Sequence, residues 1–488
     1  MTERDAKVRC IDSEREALLS FKKDIIDENE ILLSWQSNEC CEWHGVECSD
    51  TGHVIALRIC NVAFGGKIGS SLLALQQLNT LSLGGNNFSG FPIPEFIGSM
   101  KQLQHLQLSS SNFGGIVPPQ LGNLTNLRSL DLSFNSLSSI SLFPNGSVWE
   151  SIESLDLSYN NLTGSIPDLR AFPSLTELVL SKNNFTGSIP VSIGQLSQLR
   201  YLDLSSNSFE GLVSESHFSK LHKLESLDLS FNPLLILDIA PDWIPPFQLS
   251  AIKLVGCNVG PYFPNWIRTQ INLSLIDLSG ANITDEAPKW LWSVSPSSLK
   301  SYTIIPANVS EIRLSGNMFS GSISSICKIR HDEVKNIDLS NNQLVGEVPN
   351  CWEKMVDLLS LNLANNSFSG EIPQSLGVLY NLAALQMHGN NLSGELPYDL
   401  RHCQELKIID VGENKLTGEI PAWIGQLDQM QILKLRGNKL HGSIPQEICD
   451  LTSIQILDLS INNLSWIIPD SFYSFCNIPD FKTLIFEP

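Results

Sequence analysis

The stretch LDLSYNNLTGSIP, Leu155 to Pro167, is written again with small changes as LVLSKNNFTGSIP from Leu178, LNLANNSFSGEIP from Leu361 and IDVGENKLTGEIP from Ile409. A catalytic motif normally occurs once, whereas a phrase that returns at a fixed interval is a structural unit. Aligned on the first leucine-like position, seventeen units start between Val54 and Ile454, within 23 to 26 residues of one another except for the 36 from Leu273 to Val309. That period lies in the 20–29 range of leucine-rich repeats. Each position has a physical task. Leu178 and Leu180 are two apart, so both face one side of a strand, while Glu177 and Val179 face the other. The ninth position is Asn in thirteen units, among them Asn86, Asn183, Asn207 and Asn462, and Cys257 takes that slot once. An inward Asn amide at the strand exit can bond backbone groups of its own and the adjacent coil. Gly then permits a tight bend, and Pro, without a donor, suits the start of a short edge strand and resists a regular helix. One coil has no core of its own, so the coils must stack.

The chain of 488 residues carries a net charge of −20. Such a balance argues against a nucleic-acid partner and leaves an acidic surface or attraction to a basic protein. There is no GxSxG, HExxH, P-loop or Gly-rich dinucleotide turn, and the nine histidines occur singly. The expectation is therefore a binding protein and not an enzyme, with no cofactor and no metal. Eleven sequons, at Asn87, Asn123, Asn145, Asn161, Asn184, Asn272, Asn282, Asn308, Asn365, Asn391 and Asn463, favour passage through a secretory compartment. No signal-like apolar region follows Met1, and no run of about 18 apolar residues occurs. The chain as written is expected to be soluble, and apoplastic if secreted.

Residues 1–52 do not repeat. SEREALLSFKKDI reads as a helix, with Ser13 and Glu16 in a capping-box pattern and Ala17, Leu18, Phe21 and Ile25 on one face. Cys10, Cys40, Cys41 and Cys48 allow three pairings. Zinc held by Cys41, His44, Cys48 and Cys40 is the alternative, disfavoured in an oxidising compartment. Further on, Cys327 and Cys351 fall at nearly equivalent positions of successive coils, a spacing that fits a disulfide. Cys403 and Cys449 are two coils apart, too far to pair directly; Cys60 has no evident partner, and that of Cys476 is expected beyond this sequence.

The LxGxIP phrase resembles the plant-specific class of leucine-rich repeat found in receptor kinases, receptor-like proteins and polygalacturonase inhibitors. The resemblance implies an α/β fold, a right-handed superhelical solenoid with a concave parallel sheet and a disulfide-bonded cap. For the cap it implies Cys10–Cys40 and Cys41–Cys48. The domains are then a cap at 1–52, repeats 1–10 at 53–298, an irregular segment at 299–308, repeats 11–17 at 309–477 and a tail without a cap at 478–488.

The block PDWIPPFQLSAIKLVGCNVGPYFPNWIRTQINLSLIDLSGANITDEAPKWLW, Pro241 to Trp292, is more particular, as are FSGSISSIC and VPNCW after it. This succession resembles the receptor-like proteins that include the tomato receptors for ethylene-inducing xylanase. It implies a plasma-membrane immune receptor without a kinase, whose ectodomain binds a microbial protein such as a glycoside hydrolase and signals through partner receptor kinases. That family carries a non-repeat island, final repeats, a membrane helix and a short tail that do not follow FKTLIFEP here. This chain is accordingly expected to bind without signalling. A secreted inhibitor or decoy resembling polygalacturonase inhibitors is the alternative.

Outward strand positions form the expected binding surface: Phe134, Tyr159, Lys182, Arg200, Tyr201, Asp203 and Phe231. Phe134, Tyr159 and Phe231 share one repeat position and so form a stripe. Aromatic and Arg side chains are common anchors in interfaces.

Overall fold

Each repeat opens with a strand of about three residues, and the strands of successive repeats pair in parallel, leucine beside leucine. The computed structural model describes residues 9–140, 149–286, 288, 309–328, 333–465 and 483–485. The chain divides into two compact units, Met1–Ile239 with Pro245–Phe247, and Ala240–Ile244 with Gln248–Pro488. Both are built as leucine-rich-repeat solenoids.

In the first unit eight parallel strands run from Val54–Arg58 to Ser226–Asp228. The register is strict: Leu155 stands beside Leu130 on one side and Leu178 on the other, followed by Leu202 and Leu227. Leu155, Leu157, Leu162, Ile166, Leu169, Phe172 and Leu175 of one coil are all buried. Burying each such side chain contributes roughly 1.5–3 kcal/mol, and none could be buried without the neighbouring coils. A smaller sheet after the turn joins Thr163–Gly164, Asn184–Gly187, Ser208–Val213 and Leu234–Leu237.

The second unit repeats the pattern with ten parallel strands, from Ala251–Lys253 to Thr483–Ile485. Ile276 pairs directly with Ile312, so the long Leu273–Val309 unit leaves the ladder of strands unbroken. The strand Thr483–Ile485, paired with Ile456–Asp458, adds a rung in what the repeat register assigns to the tail. The irregular segment 299–308 and Cys476 lie outside the described residues.

All thirteen expected asparagines form the ladder. Asn183 donates through Nδ2 to Leu157 O (2.9 Å) in the preceding coil and Leu180 O (3.2 Å) in its own, and its Oδ1 accepts from Leu162 N (3.0 Å). Asn207 does the same one coil on, using Leu180 O, Leu204 O and Phe185 N. Where successive coils both carry the asparagine, a leucine carbonyl such as Leu180 O or Leu204 O accepts from two of them, which ties one coil to the next.

The proline plays a different part from the expected one. Pro190 caps the 3₁₀ turn Val191–Gln195, at φ −72° and ψ 137°, and the short strand Asn184–Gly187 precedes it. Lacking a donor, Pro sits where a helix start leaves N–H groups unpaired. The turns stack so closely that a Cβ on Gly194 would lie 2.4 Å from Ser216 O. Repeats thus carry 3₁₀ turns, and the one α-helix among the described residues is Asp12–Asp24 in the cap.

That helix buries Ala17, Leu18 and Phe21. Its N-cap is Ile11, with no side-chain cap bond, so Ser13 and Glu16 do not form a capping box. Glu14 in the first turn serves instead: buried, it accepts from Val54 N (2.6 Å) and meets His53 Nδ1 (2.9 Å), hooking the cap to the first repeat strand. Cys10 is bonded to Cys40, Cys41 to Cys48 and Cys327 to Cys351, with Cα separations of 5.4–5.5 Å. The cap sulfurs are thereby spent, and no thiolate remains to hold zinc beside His44. Cys60 and Cys403 are free thiols, and Cys449 is disulfide-bonded. Burial pushes the Cys403 thiol up to about 12.

Candidate ligand-binding surface

The residue just before the ladder position is left-handed in coil after coil of the first unit: Asn61, Gly85, Ser110, Phe134, Tyr159, Lys182, Ser206 and Phe231 have φ between 52° and 71°. The cause is the bonding on either side of it. Phe134 N donates to Ser158 O (2.9 Å) and Asn135 N to Tyr159 O (3.1 Å); Tyr159 N and Asn160 N bond Ser181 O and Lys182 O in the same way. Meeting both partners in the next coil forces the turn. For an L-residue this conformation costs roughly 1–2 kcal/mol, which is why Gly and Asn normally occupy it. The second unit uses them at the equivalent positions Gly256, Gly280, Gly316, Asn341, Asn365, Gly389 and Gly437, with Glu413 and Ile461 as exceptions.

The bulky residues of this stripe contribute little to the core. Phe134, Tyr159 and Phe231 are 52%, 46% and 56% exposed. Phe134 and Tyr159 stack with ring centroids 4.1 Å apart and planes 11° from parallel. Lys182 Nζ lies 5.9 Å from the centroid of Phe231. Of the expected anchors, these four come together at the strand exits.

Tyr201 and Asp203 lie on the strand itself, beside Glu177 and Val179 in one neighbour and Ser226 and Asp228 in the other. Arg200 stands at the strand entry, away from the stripe. Its guanidinium is held by Glu225, with Nη2 2.5 Å and Nε 3.1 Å from Oε1. This expected anchor is thus paired within the chain.

The strands also carry an acidic row that the repeat consensus disguises. Asp131 and Asp156 are adjacent, Val179 interrupts, and Asp203 and Asp228 continue in register. Each aspartate accepts at Oδ1 from the backbone N–H two residues on, as Asp156 does from Ser158 (2.9 Å). Asp131, Asp156 and Asp203 have no cationic partner among the described residues. In the second unit two of the corresponding acids are matched: Arg313 reaches Asp277 at 3.8 Å and Lys434 reaches Asp410 at 3.6 Å. Burial raises the Asp156 carboxyl above its usual range, and the charges of Asp131 and Glu177 add to the shift, against the bonds from Ser158. The Tyr201 phenol is raised by burial first and then by Asp203 and Asp228.

Nine of the eleven sequon asparagines are described, and all nine are exposed; Asn145 and Asn308 lie outside the described residues. Asn365 occupies the stripe position of the second unit.

Comparison with known proteins agrees with this architecture. The leucine rich repeat N-terminal domain matches residues 11–49, and leucine rich repeat families match 76–137, 150–194, 173–234, 333–355, 357–379 and 404–464. Receptor-like protein EIX2 of Solanum lycopersicum is 34% identical across 73% of this chain and 61% of its own length. Receptor-like protein EIX1 of the same plant is 33% identical across 70% of this chain and 56% of its own. The chain thus spans about three fifths of the length of these curated relatives. Among solved structures, the ectodomain of the Arabidopsis thaliana membrane receptor kinase GASSHO1/SCHENGEN3, in complex with CASPARIAN STRIP INTEGRITY FACTOR 2, is 26% identical with a TM-score of 0.67, over 93% of this chain and 62% of that one. The plant peptide hormone receptor RGFR1 in complex with RGF2 shares the fold, with a TM-score of 0.61 at 24% identity over 87% of this chain and 68% of that one. No helix among the described residues is long and apolar enough to cross a membrane. With its capped solenoid, its Asn ladder and these relatives, the chain belongs to the leucine-rich-repeat receptor-like proteins of plants.

Proposed function

We propose that this chain is the ligand-reading part of a cell-surface immune receptor, and that the stripe of the first unit receives a microbial protein. The observation that carries this reading is the placement of Phe134, Tyr159, Lys182 and Phe231 at left-handed positions, half-exposed. Strained backbone bearing bulky, solvent-facing side chains gains nothing for the scaffold, and such outliers point toward function. Large aromatic surfaces beside Asp131, Asp156 and Asp203 suit a ligand that offers apolar contact and basic residues. The resemblance of the Pro241–Trp292 block to receptors for ethylene-inducing xylanase supports a secreted glycoside hydrolase as that ligand. Transmission of the signal by partner receptor kinases belongs to the same reading. It is a reading of recognition, with no chemistry assigned to any side chain.

The test is direct. The secreted, glycosylated protein is immobilised and exposed to a panel of fungal and oomycete glycoside hydrolases, and bound protein is followed by interferometry. Binding is expected for at least one, weakening as salt rises and falling more than tenfold in the Phe134→Ala, Tyr159→Ala double variant. A panel with no binder overturns the ligand class. Unchanged affinity in the double variant overturns the surface.

A further inference from the structure

The 3₁₀-turn side of the second unit holds a pocket of about 740 Å³, within the range of ordinary ligand sites. It lies between the segment Pro241–Ile244 and the turn Asn265–Thr269 of the following coil. Trp243 is half-buried and meets the buried Trp266 edge to face, with centroids 5.9 Å apart and planes at 70°. Ile244 and Ile271 stand at the rim, 73% and 48% exposed. Gln248 fixes this rim by accepting from Ile271 N (2.9 Å) and donating to Thr269 O (3.1 Å). The polar groups Asp242 and Arg268 also line the pocket, and neither makes an ion pair among the described residues.

An indole face with aliphatic flanks and convergent charged groups is amphiphilic in the way a pyranose is: one face of C–H bonds and a rim of hydroxyls. C–H groups pack favourably against the negative face of an aromatic ring. Carboxylate and guanidinium groups take the hydroxyls as acceptor and donor. A carrier for such a sugar stands at the edge. Asn272, next after Ile271, is exposed and opens the sequon Asn272-Leu273-Ser274. Consecutive Cα atoms are about 3.8 Å apart, so a glycan on Asn272 is rooted at the pocket mouth.

We propose that the N-linked glycan of Asn272 folds back into this pocket, its first sugars lying against Trp243. In the attachment, the Asn272 amide nitrogen bonds the anomeric carbon of a lipid-pyrophosphate-linked oligosaccharide, the carrier pyrophosphate departs, and the nitrogen gives up one proton. The seated sugars cover Ile244 and Ile271 and bridge two coils. The proposal rests on the secretory part of the functional reading and is independent of the ligand stripe.

The test uses the full chain secreted from plant cells. Glycopeptide mass spectrometry reports occupancy at Asn272 and Asn184, and timed endoglycosidase digestion of the folded protein reports access. In the folded protein the Asn272 glycan is expected to be trimmed at least tenfold more slowly than that of Asn184, and at an equal rate after denaturation. Trp243→Ala should remove the difference. So should Ile244→Asp, a rim change that leaves the core untouched. A bare Asn272 beside an occupied Asn184, equal trimming in the folded wild type, or resistance that survives both variants would each overturn the proposal. Bare asparagines at both sites would overturn the secretory reading, and the pocket proposal with it.

Discussion

Replacing Asn207 by Ala tests the ladder where its geometry is fully specified. Asn207 is buried, donates to Leu180 O at 3.0 Å and Leu204 O at 3.2 Å, and accepts from Phe185 N at 3.0 Å. The two carbonyls keep a second donor, because Asn183 also bonds Leu180 O and Asn232 also bonds Leu204 O. The Phe185 N–H keeps nothing. An orphaned buried donor costs about 1–3 kcal/mol, and each weakened acceptor about 0.5–1 kcal/mol. The expected loss is therefore about 2–5 kcal/mol, centred on one donor. Asn207→Asp retains the acceptor and should leave Phe185 paired. Denaturant unfolding measures the loss, and amide hydrogen exchange locates it, with Phe185 the most accelerated site in the Ala variant. A loss below about 1 kcal/mol with Phe185 protection unchanged would refute the account of the ladder, since the remaining contact of Asn207, from Nδ2 to Ser205 O at 3.1 Å, stays within its own coil.

Three further outcomes are expected. Phe231→Gly should be neutral or stabilising within about 1 kcal/mol, because it relieves a φ of 57° at a half-exposed site, yet it should weaken ligand binding; thermal melts and binding run on the same sample decide, and a loss above about 2 kcal/mol would show that Phe231 supports the scaffold. Removing both sulfurs of Cys10–Cys40, which closes a separation of 30 residues, should destabilise by about 3–4 kcal/mol on the chain-entropy account, against about 2–3 for Cys41–Cys48 with a separation of 7; paired Ser variants in urea would reveal a reversed order. Asp156 has a folded pKa raised above its unfolded value, so its charge disfavours folding at neutral pH, and that penalty fades as pH falls through the raised value toward 3.8. Asp156→Asn should accordingly gain stability at pH 7 and lose that advantage near pH 3, and a larger gain at the acid end would reverse the sign of the argument.

What could be read from the sequence, and what could not, follows from where each constraint originates. Strands, inward leucines and ladder asparagines were legible because two short-range rules, alternation by two and return at about twenty-four, both point to them. The prolines misled because local chemistry allows either a strand or a 3₁₀ start, and only stacking of the Gly194-type turns selects the second. The hook made by Glu14 was hidden because a charged residue in a first helical turn looks solvated until Val54 is folded beneath it. The pocket around Trp243 was hidden because one of its walls, Pro241–Ile244, comes from a segment that follows no repeat rule.

The stripe is the most instructive omission. Phe134, Tyr159 and Phe231 were read as concave anchors from their shared position, but nothing local marks Phe or Tyr as left-handed. The conformation is imposed from the next coil, through the N–H of the stripe residue and that of the ladder Asn. The ladder thus fixes the backbone one residue before it and leaves the side chain there free to differ. The second unit mostly fills that slot with Gly or Asn, which minimises the strain, and at Asn365 it offers a sequon where a glycan would close the surface. The first unit accepts the strain in adjacent coils and presents rings and an ammonium beside unpaired aspartates. A scaffold indifferent to the side chain, and strained where that side chain is bulky, supports the proposal that the first unit reads the ligand.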